Sequence, residues 1–450
     1  MECGHCHAWS DVRDATTEQL VCAGCGHYLQ IDQAKICRVP TAFRTNFWPK
    51  IKQEDADTGV RHRSIQAEGK ALPFGEQTGV LGQHGSFRLG FDETTRTFRL
   101  NRGPELESGG QAFEVQEGTD RYPRPSVELP AQVVSTQEAL RPREFESTSP
   151  SIQIWLASPK TTDAIYLLPT KLPPGLALHR LPARSDSPVI EGTRWLGVRA
   201  AALSATYLVV NRASLELDID PEEFDVLEPR LYGAETRLPL LEFTDHLVNG
   251  AGFCRTLASS DGKSAPISRM IRSMLQDGDR YPRKVFEGES HADCDTACYR
   301  CLLRYGNQAF HGLLDWPLGL TFLRAMVDPE FVCGLGGDFS APGLARWQSQ
   351  ARRLAGEMAD RFKGKTKEFS GVPAFSIDLG RRTQSPWVLV GHPLWDWGDV
   401  PPTEGSILKA AFDAALDDGP AAPHCWDTFN LERRQVMVRE EIRQSLRASL

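Results

Sequence analysis

No run of about 18 apolar residues occurs in this chain of 450, which excludes a membrane-spanning helix of ordinary length. The opening residues, Met1-Glu2-Cys3-Gly4-His5-Cys6, hold no basic segment leading into an apolar core, so no secretory leader is expected. Positive charge is also short. The chain has 51 Lys and Arg against 59 Asp and Glu, a net charge of -8. A protein that coats nucleic acid by bulk charge is therefore excluded, and only a local basic groove remains open. There is no internal repeat and no low-complexity tract. Reduced cysteines and a cytoplasmic location are the expectation, which favours metal ligation over disulfides.

Nucleotide and nuclease chemistry are missing as well. Gly262-Lys263-Ser264 is half of a phosphate loop, but the glycine required five positions earlier is Leu257. No Walker B box appears, so ATP hydrolysis is not expected. There is no His-x-Lys-x4-Asp stretch. Asp378 sits in the strand-like Phe375–Leu379, yet no Glu-x-Lys follows at strand spacing. The acidic run Asp218 to Glu223 reads as a solvated turn, with Asp220 capping a helix begun by Pro221. His392 reads as a strand-end residue near the surface. No catalytic residue and no organic cofactor site is assigned, and the chain is expected not to be an enzyme.

What the chain does have is cysteine at metal-ligand spacing. Four of its eleven cysteines read Cys3-x2-Cys6 and Cys22-x2-Cys25. Two such steps about 15 residues apart are what a zinc ribbon needs, because one tight turn supplies two thiolates to a tetrahedral ion. A four-thiolate site has no open coordination position, so its role is structural and its binding energy is folding energy. His5, His7 and His27 flank the knuckles without being needed as ligands. The second set is Cys294-x3-Cys298-x2-Cys301. Its fourth ligand is left among three residues: Cys254, which is favoured, His291 and Cys333. Cys37 reads as a free buried thiol. The glycines of Gly250-Ala251-Gly252 are not a dinucleotide fingerprint, since Arg255 fills the third glycine slot. They suit a tight turn into the metal site.

The fold class expected is mixed α/β: an N-terminal zinc ribbon, an α/β body with the second cysteine site, and a C-terminal α/β unit. The boundaries are 1–48 for the ribbon, 49–150 for a β-hairpin and linker region, 151–335 for the zinc-binding α/β domain and 336–450 for the C-terminal unit. Within these, 85–91 and 97–101 read as a hairpin turning at Asp92 to Arg96, and a short strand is expected near Gln132 to Val134. Strands are expected at 152–156, 164–168, 215–219 and 224–227. A largely buried helix is expected at 195–211, and 240–247 is ambiguous. Further helices fall at 266–275, 318–326, 344–362, 407–416 and 431–446, with a buried strand at 387–391.

Gly250 to Cys254, His291 to Cys301, the Leu302 to Gln308 segment and His311-x2-Leu314-Asp315-Trp316 resemble the C-terminal zinc-binding domain of MrfA-type superfamily 2 DNA helicases. The ribbon running into Cys37-Arg38-x-Pro40-x2-Phe43-Arg44-Thr45 is similar to the DrmB subunit of the DISARM anti-phage system. So is Arg199-Ala200-Ala201 followed by Leu217 to Phe224. The resemblance spans roughly residues 1–328 and is thin between its motifs. It implies two zinc ions and an accessory role: no motor of its own, a separate helicase or translocase ATPase as partner, and DNA within reach.

On that reading Cys3, Cys6, Cys22, Cys25, Cys254, Cys294, Cys298 and Cys301 hold zinc. Arg38, Arg44, Arg269, Arg272, Arg300 and Arg304 are candidate phosphate contacts, and Asn307, Gln308 and His311 brace the second site or line a groove. The alternatives are a nuclease with its active site in 336–450, tested at Asp378, and a protein-interaction scaffold that does not touch DNA.

Overall fold

A computed structural model describes residues 1–10, 20–29, 34–39, 63–67, 72, 74–81, 85–101, 103, 106, 112–120, 131–133, 145–182, 194–233, 235–260, 264–276, 281–341, 343–377, 386–398, 402–419 and 422–448. Arg44, Asp378 and the Gly262-Lys263 pair lie outside these residues. Among the described residues no helix is long and apolar enough to cross a membrane.

The architecture is mixed α/β, as the sequence indicates. Its spine is a pair of long antiparallel strands, β1 (Gly85–Asn101) and β2 (Ile152–Pro169). From Thr162 onward β2 is buried on both faces, and alternate residues feed separate cores. Ile165 and Leu167 join Phe87 and Leu89 in the main core. Ala164, Tyr166 and Leu168 join Leu72 and Leu240 in a second one. Period-two geometry sends neighbours to opposite faces, so an unbroken apolar run marks a strand covered on both sides.

The expected hairpin turn at Asp92 to Arg96 does not exist. Those residues continue β1 and pair with Thr161, Thr162 and Ala164 of β2, with a bulge at Asp163. Polar residues look like a turn locally. In a long two-strand ribbon they simply pair with the equally polar Lys160 to Thr162 opposite. For the same reason the two expected strands at 152–156 and 164–168 are one. The region expected to be mostly linker carries Phe113–Asp120, which pairs with β2, and Ala131–Val133, near the strand foreseen at Gln132.

Helix α1 (Leu196–Leu217) crosses one face of the sheet, and most of its residues are buried. It absorbs 215–217, expected as strand, because Leu217 still fits the helix and Asp218 ends it in the left-handed conformation at φ 54°. Asp220 accepts a hydrogen bond from the backbone N–H of Glu222 and caps the short turn Pro221–Glu223, as read from the sequence. Strands β3 (Phe224–Val226) and β4 (Leu238–Asp245) extend the sheet beyond β2, and 240–247 thus resolves as strand. Helices α2 (Phe253–Ala258), α3 (Pro266–Gln276) and α4 (Trp316–Val327) follow.

In the C-terminal unit α5 (Trp347–Phe362) buries Trp347, Ala351, Leu354, Met358 and Phe362. They pack against a four-stranded sheet of β5 (Thr366–Phe369), β6 (Val372–Ser376), β7 (Trp387–Gly391) and β8 (His424–Asp427). Helix α6 (Ile407–Asp418) precedes β8. The expected helix at 431–446 is two, α7 (Thr428–Arg433) and α8 (Gln435–Ala448). This unit shares the main core with the body. The Asn430 side-chain amide donates to the Arg194 carbonyl at 2.9 Å.

Helices α1 and α4 touch at Gly319, where an added Cβ would stand 2.6 Å from the Ser204 Cβ and 2.7 Å from its carbonyl carbon. In an open helix Gly319→Ala would gain about 1 kcal/mol from propensity. Here the contact is partly backbone and cannot yield cheaply, so the substitution is expected to cost about 1–3 kcal/mol instead. A urea midpoint that rises would show that the helices are not in contact at this point.

Candidate metal centres

The first centre is built by two knuckles. The His7 N–H donates to the Cys3 carbonyl at 2.9 Å, and the Gly26 N–H to the Cys22 carbonyl at 2.7 Å. Each chain then turns through a left-handed residue, His7 at φ 64° and Gly26 at φ 72°. The four ligand sulfurs lie within 4.8 Å of one another, and all four residues are buried. The Sγ–Sγ separations are 3.7 Å for Cys3–Cys25 and 3.5 Å for Cys6–Cys22. Two sulfurs each about 2.3 Å from a tetrahedral ion stand about 3.8 Å apart, so the set fits zinc. A disulfide at about 2.05 Å does not fit.

Charge makes the same point. Hydrogen bonding from Cys22 and Cys6 pulls the Cys3 thiol far down, while Cys6 is pushed far up by its bonds to Cys22 and Cys3. Burial pushes Cys25 up to about 11. Four thiols this crowded cannot all ionise unless a cation compensates them. The flanking histidines are not ligands. His5 and His27 stack on each other at 5.1 Å, and His7 lies 3.8 Å from Glu2. The ribbon docks through the Leu231 N–H, which donates to the Cys6 carbonyl at 3.1 Å, and through Trp9 against Trp155.

The second centre brings together His291, Cys294, Cys298 and Cys301, again within 4.8 Å. The Cys294–Cys301 sulfurs are 3.9 Å apart, and His291 Nε2 is 3.3 Å from the Cys298 Sγ. His291 Nδ1 faces the Phe286 carbonyl at 3.3 Å. Donation of Nδ1–H there leaves the Nε2 lone pair for a metal, the usual way an outer hydrogen bond sets a ligand's tautomer. Backbone N–H groups reach the sulfurs, Cys298 to Cys301 Sγ at 3.1 Å and Arg300 to Cys298 Sγ at 3.4 Å. Burial opposes ionisation of Cys298, but the Arg300 N–H and the two neighbouring thiols outweigh it and draw the thiol down. Burial pushes Cys294 and Cys301 up.

Cys254, favoured from the sequence as the fourth ligand, is not in this group. Its N–H, with those of Ala251 and Phe253, donates to the Asp245 carboxylate at 2.9, 2.7 and 3.1 Å. The turn made by Gly250 and Gly252, at φ 77° and 83°, closes on that carboxylate and not on the metal ligands. A Cβ on Gly250 would meet the Asp163 carboxyl at 2.6 Å. Burial, with Asp245 beside it, pushes the Cys254 thiol well up, and it stays neutral. Cys333 is not in the group either. Its sulfur is 3.3 Å from His392 Nδ1, and both residues are buried. His392 is thus an interior residue, not one near the surface, and burial pushes it down to about 3. Cys37, expected to be buried, is exposed.

The loop after Cys301 is locked from behind. The Asn211 amide donates to the Cys301 carbonyl at 3.2 Å, and the Arg304 guanidinium donates to the Asn211 Oδ1 at 3.0 Å. The Asn307 amide donates to the Leu302 carbonyl at 2.8 Å. His311 Nε2 lies 2.9 Å from the Arg304 carbonyl. The Trp316 indole donates to the Cys294 carbonyl at 3.3 Å. Arg304, read as a phosphate contact, therefore points inward because Asn211 offers it a buried acceptor.

The other described candidate arginines lie on three separate segments, with Arg269 and Arg272 sharing α3. Arg38 is exposed and paired with Glu117 at 3.2 Å. Arg269 is exposed and donates to the Ser264 carbonyl. Arg272 is half-buried on α3, and Arg300 is exposed between two ligands. Sequence reading missed Tyr299 and Tyr305, both strongly exposed beside the second centre. The signal was an aromatic residue inside the Cys298-x2-Cys301 step.

No family model matches the sequence, and no curated protein matches it. Among solved structures, the crystal structure of the DUF1998 helicase MrfA bound to DNA is similar to this chain with a TM-score of 0.27 and 12% identity. The match covers 59% of this chain and 26% of that one, so this chain spans about a quarter of its length. An overlap of that extent identifies neither the fold nor the activity of this protein.

Metal stoichiometry separates the fourth-ligand assignments. His291→Ala is expected to lower bound zinc from roughly two ions per chain to roughly one, because a three-thiolate remnant holds the ion poorly. Cys254→Ser is expected to retain both. Elemental analysis with the opposite pattern would return Cys254 to the ligand set.

Proposed function

We propose that this chain is a cytoplasmic, non-catalytic accessory subunit, stapled by two zinc ions, that works on DNA beside a separate superfamily 2 helicase or translocase ATPase in anti-phage defence. One observation carries this reading. The segment from His291 to Trp316, in which the resemblance to helicase zinc-binding domains is densest, closes around one four-ligand point, and Asn307, His311 and Trp316 hydrogen-bond the backbone of that loop. A metal with four protein ligands has no position for substrate, so its work is structural. Exposed Arg38, Arg269 and Arg300 supply the cations for phosphate.

The test is co-expression with the products of the neighbouring genes, followed by purification through this chain. Recovery of a stoichiometric ATPase is expected, together with a shift of DNA at low salt that fades as salt rises. The isolated chain is expected to turn over no ATP. Robust hydrolysis by the chain alone would overturn the accessory reading.

A second reading, a nuclease subunit, has one observation in its favour. A cleft of about 530 Å³ between the second centre and the C-terminal unit is lined by Asp295, Asp315, Glu432 and Arg353. It opens where the parallel strands β7 and β8 end, a frequent place for ligands in α/β sheets. Burial pushes Asp315 up to about 6. Magnesium-dependent nicking of plasmid DNA that disappears in Asp315→Asn would put this reading first.

A further inference from the structure

Among the described residues, the strongly exposed aromatic side chains are Tyr28, Tyr299 and Tyr305, at 65%, 71% and 78% exposure. All three lie close in sequence to a metal centre. Tyr28 follows the second knuckle of the ribbon, Tyr299 lies between Cys298 and Cys301, and Tyr305 comes four residues after Cys301. Exposed aromatic rings forgo burial, and a rigid loop that displays them presents π faces at small entropic cost.

The loop carrying Tyr299 and Tyr305 is rigid for reasons already described: a metal point at one end and the Asn211–Arg304–Asn307 bonds at the other. Tyr299 meets the edge of His311 at 5.5 Å. His311 also lies 2.9 Å from the carbonyl of Arg304, the residue before Tyr305, so one imidazole bridges the two ends of this loop. Arg300 stands between them in sequence and is exposed. The surroundings are otherwise acidic. Asp293 and Asp295 are exposed on the same loop, and Glu222 lies against Gly306. A patch of this composition attracts a polyanion weakly but offers faces on which planar rings can stack.

We propose that Tyr299, Arg300 and Tyr305 form a stacking platform for unpaired nucleobases, so that the second metal loop grips single-stranded DNA. This rests on the DNA-contacting reading above and specifies the form of DNA. In a duplex the base faces are already stacked, so the platform selects against it. With one cation at its centre, the platform itself adds only about 1 to the log–log salt slope, and the rest of the salt dependence comes from phosphate contacts elsewhere on the chain.

The test uses the full zinc-loaded chain and fluorescence anisotropy of a labelled oligothymidylate about 20 nucleotides long, with a duplex of equal length beside it. The single strand is expected to bind at least about tenfold more tightly than the duplex. The Tyr299→Ala/Tyr305→Ala double variant is expected to lose at least about tenfold in single-strand affinity, while Tyr299→Phe/Tyr305→Phe keeps it, because stacking needs the ring and not the hydroxyl. Zinc content and thermal midpoint should not change, since both side chains are exposed. Retained affinity in the alanine variant overturns the platform and leaves DNA contact standing. Equal binding of duplex and single strand also overturns the platform alone. No binding of either form overturns both the platform and the DNA reading beneath it.

Discussion

The convergence of soft ligands on two points is the constraint on which the rest of this protein depends. Three thiols and an imidazole within hydrogen-bonding range at the second centre, and four thiols at the first, are costly to bury as they stand. Each added thiolate raises the cost of the next, and each protonated thiol leaves poorly satisfied sulfur in the interior. A divalent cation removes both penalties, and its affinity is then part of the folding energy. The loop around the second centre reaches the main core through Leu302, Leu314 and Trp316 but has little regular secondary structure of its own. Where Cys294 to Trp316 runs in turns and short helical segments, the metal point supplies the fixity that a longer helix or strand would supply elsewhere.

That fixity passes in two directions. Inward, Asn211 of the central helix holds the Cys301 carbonyl and the Arg304 guanidinium together, so the second loop is welded to the helix that crosses the main sheet. On the other side the C-terminal unit reaches it through Arg346, 3.3 Å from Asp295, and through Arg433, which donates to the Gly312 and Leu314 carbonyls at 2.6 and 3.1 Å. The exposed ion pair contributes little by itself, whereas the charge-assisted bonds to loop carbonyls fix geometry. Outward, the same loop holds Tyr299 and Tyr305 in water. The second centre thus joins the α/β body, the C-terminal unit and the surface that carries the two exposed tyrosines.

Much of this was legible in the sequence, and the failures have physical causes. Both cysteine sets were plain because Cys-x2-Cys and Cys-x3-Cys steps are local geometry. Helices were legible where one apolar face repeats, as in α5, or where burial is nearly complete, as in α1. The long strand β1 was not, because Asp92 to Arg96 reads as a turn to any local rule. That stretch is paired by β2, more than 50 residues away in sequence. The inward turn of Arg304 was hidden for the same reason: its acceptor, Asn211, lies on another element.

The fourth ligand shows how a correct chemical premise leads to the wrong residue. A cysteine preceded by Gly-x-Gly has the small residues and tight turn that a metal knuckle uses, and a fourth thiolate would complete a uniform set. Yet the same turn serves equally well to aim three backbone N–H groups at one carboxylate, and Asp245, fully buried at the end of β4, needs such donors more urgently than a metal needs a fourth sulfur. A buried carboxylate without donors costs more than a thiol left neutral. Once the turn is committed to Asp245, Cys254 is carried into the core beside Phe243, and the fourth position falls to His291. That residue is three before Cys294 and is already oriented by the Phe286 carbonyl. Ligand identity was therefore decided by which buried group most needed the turn.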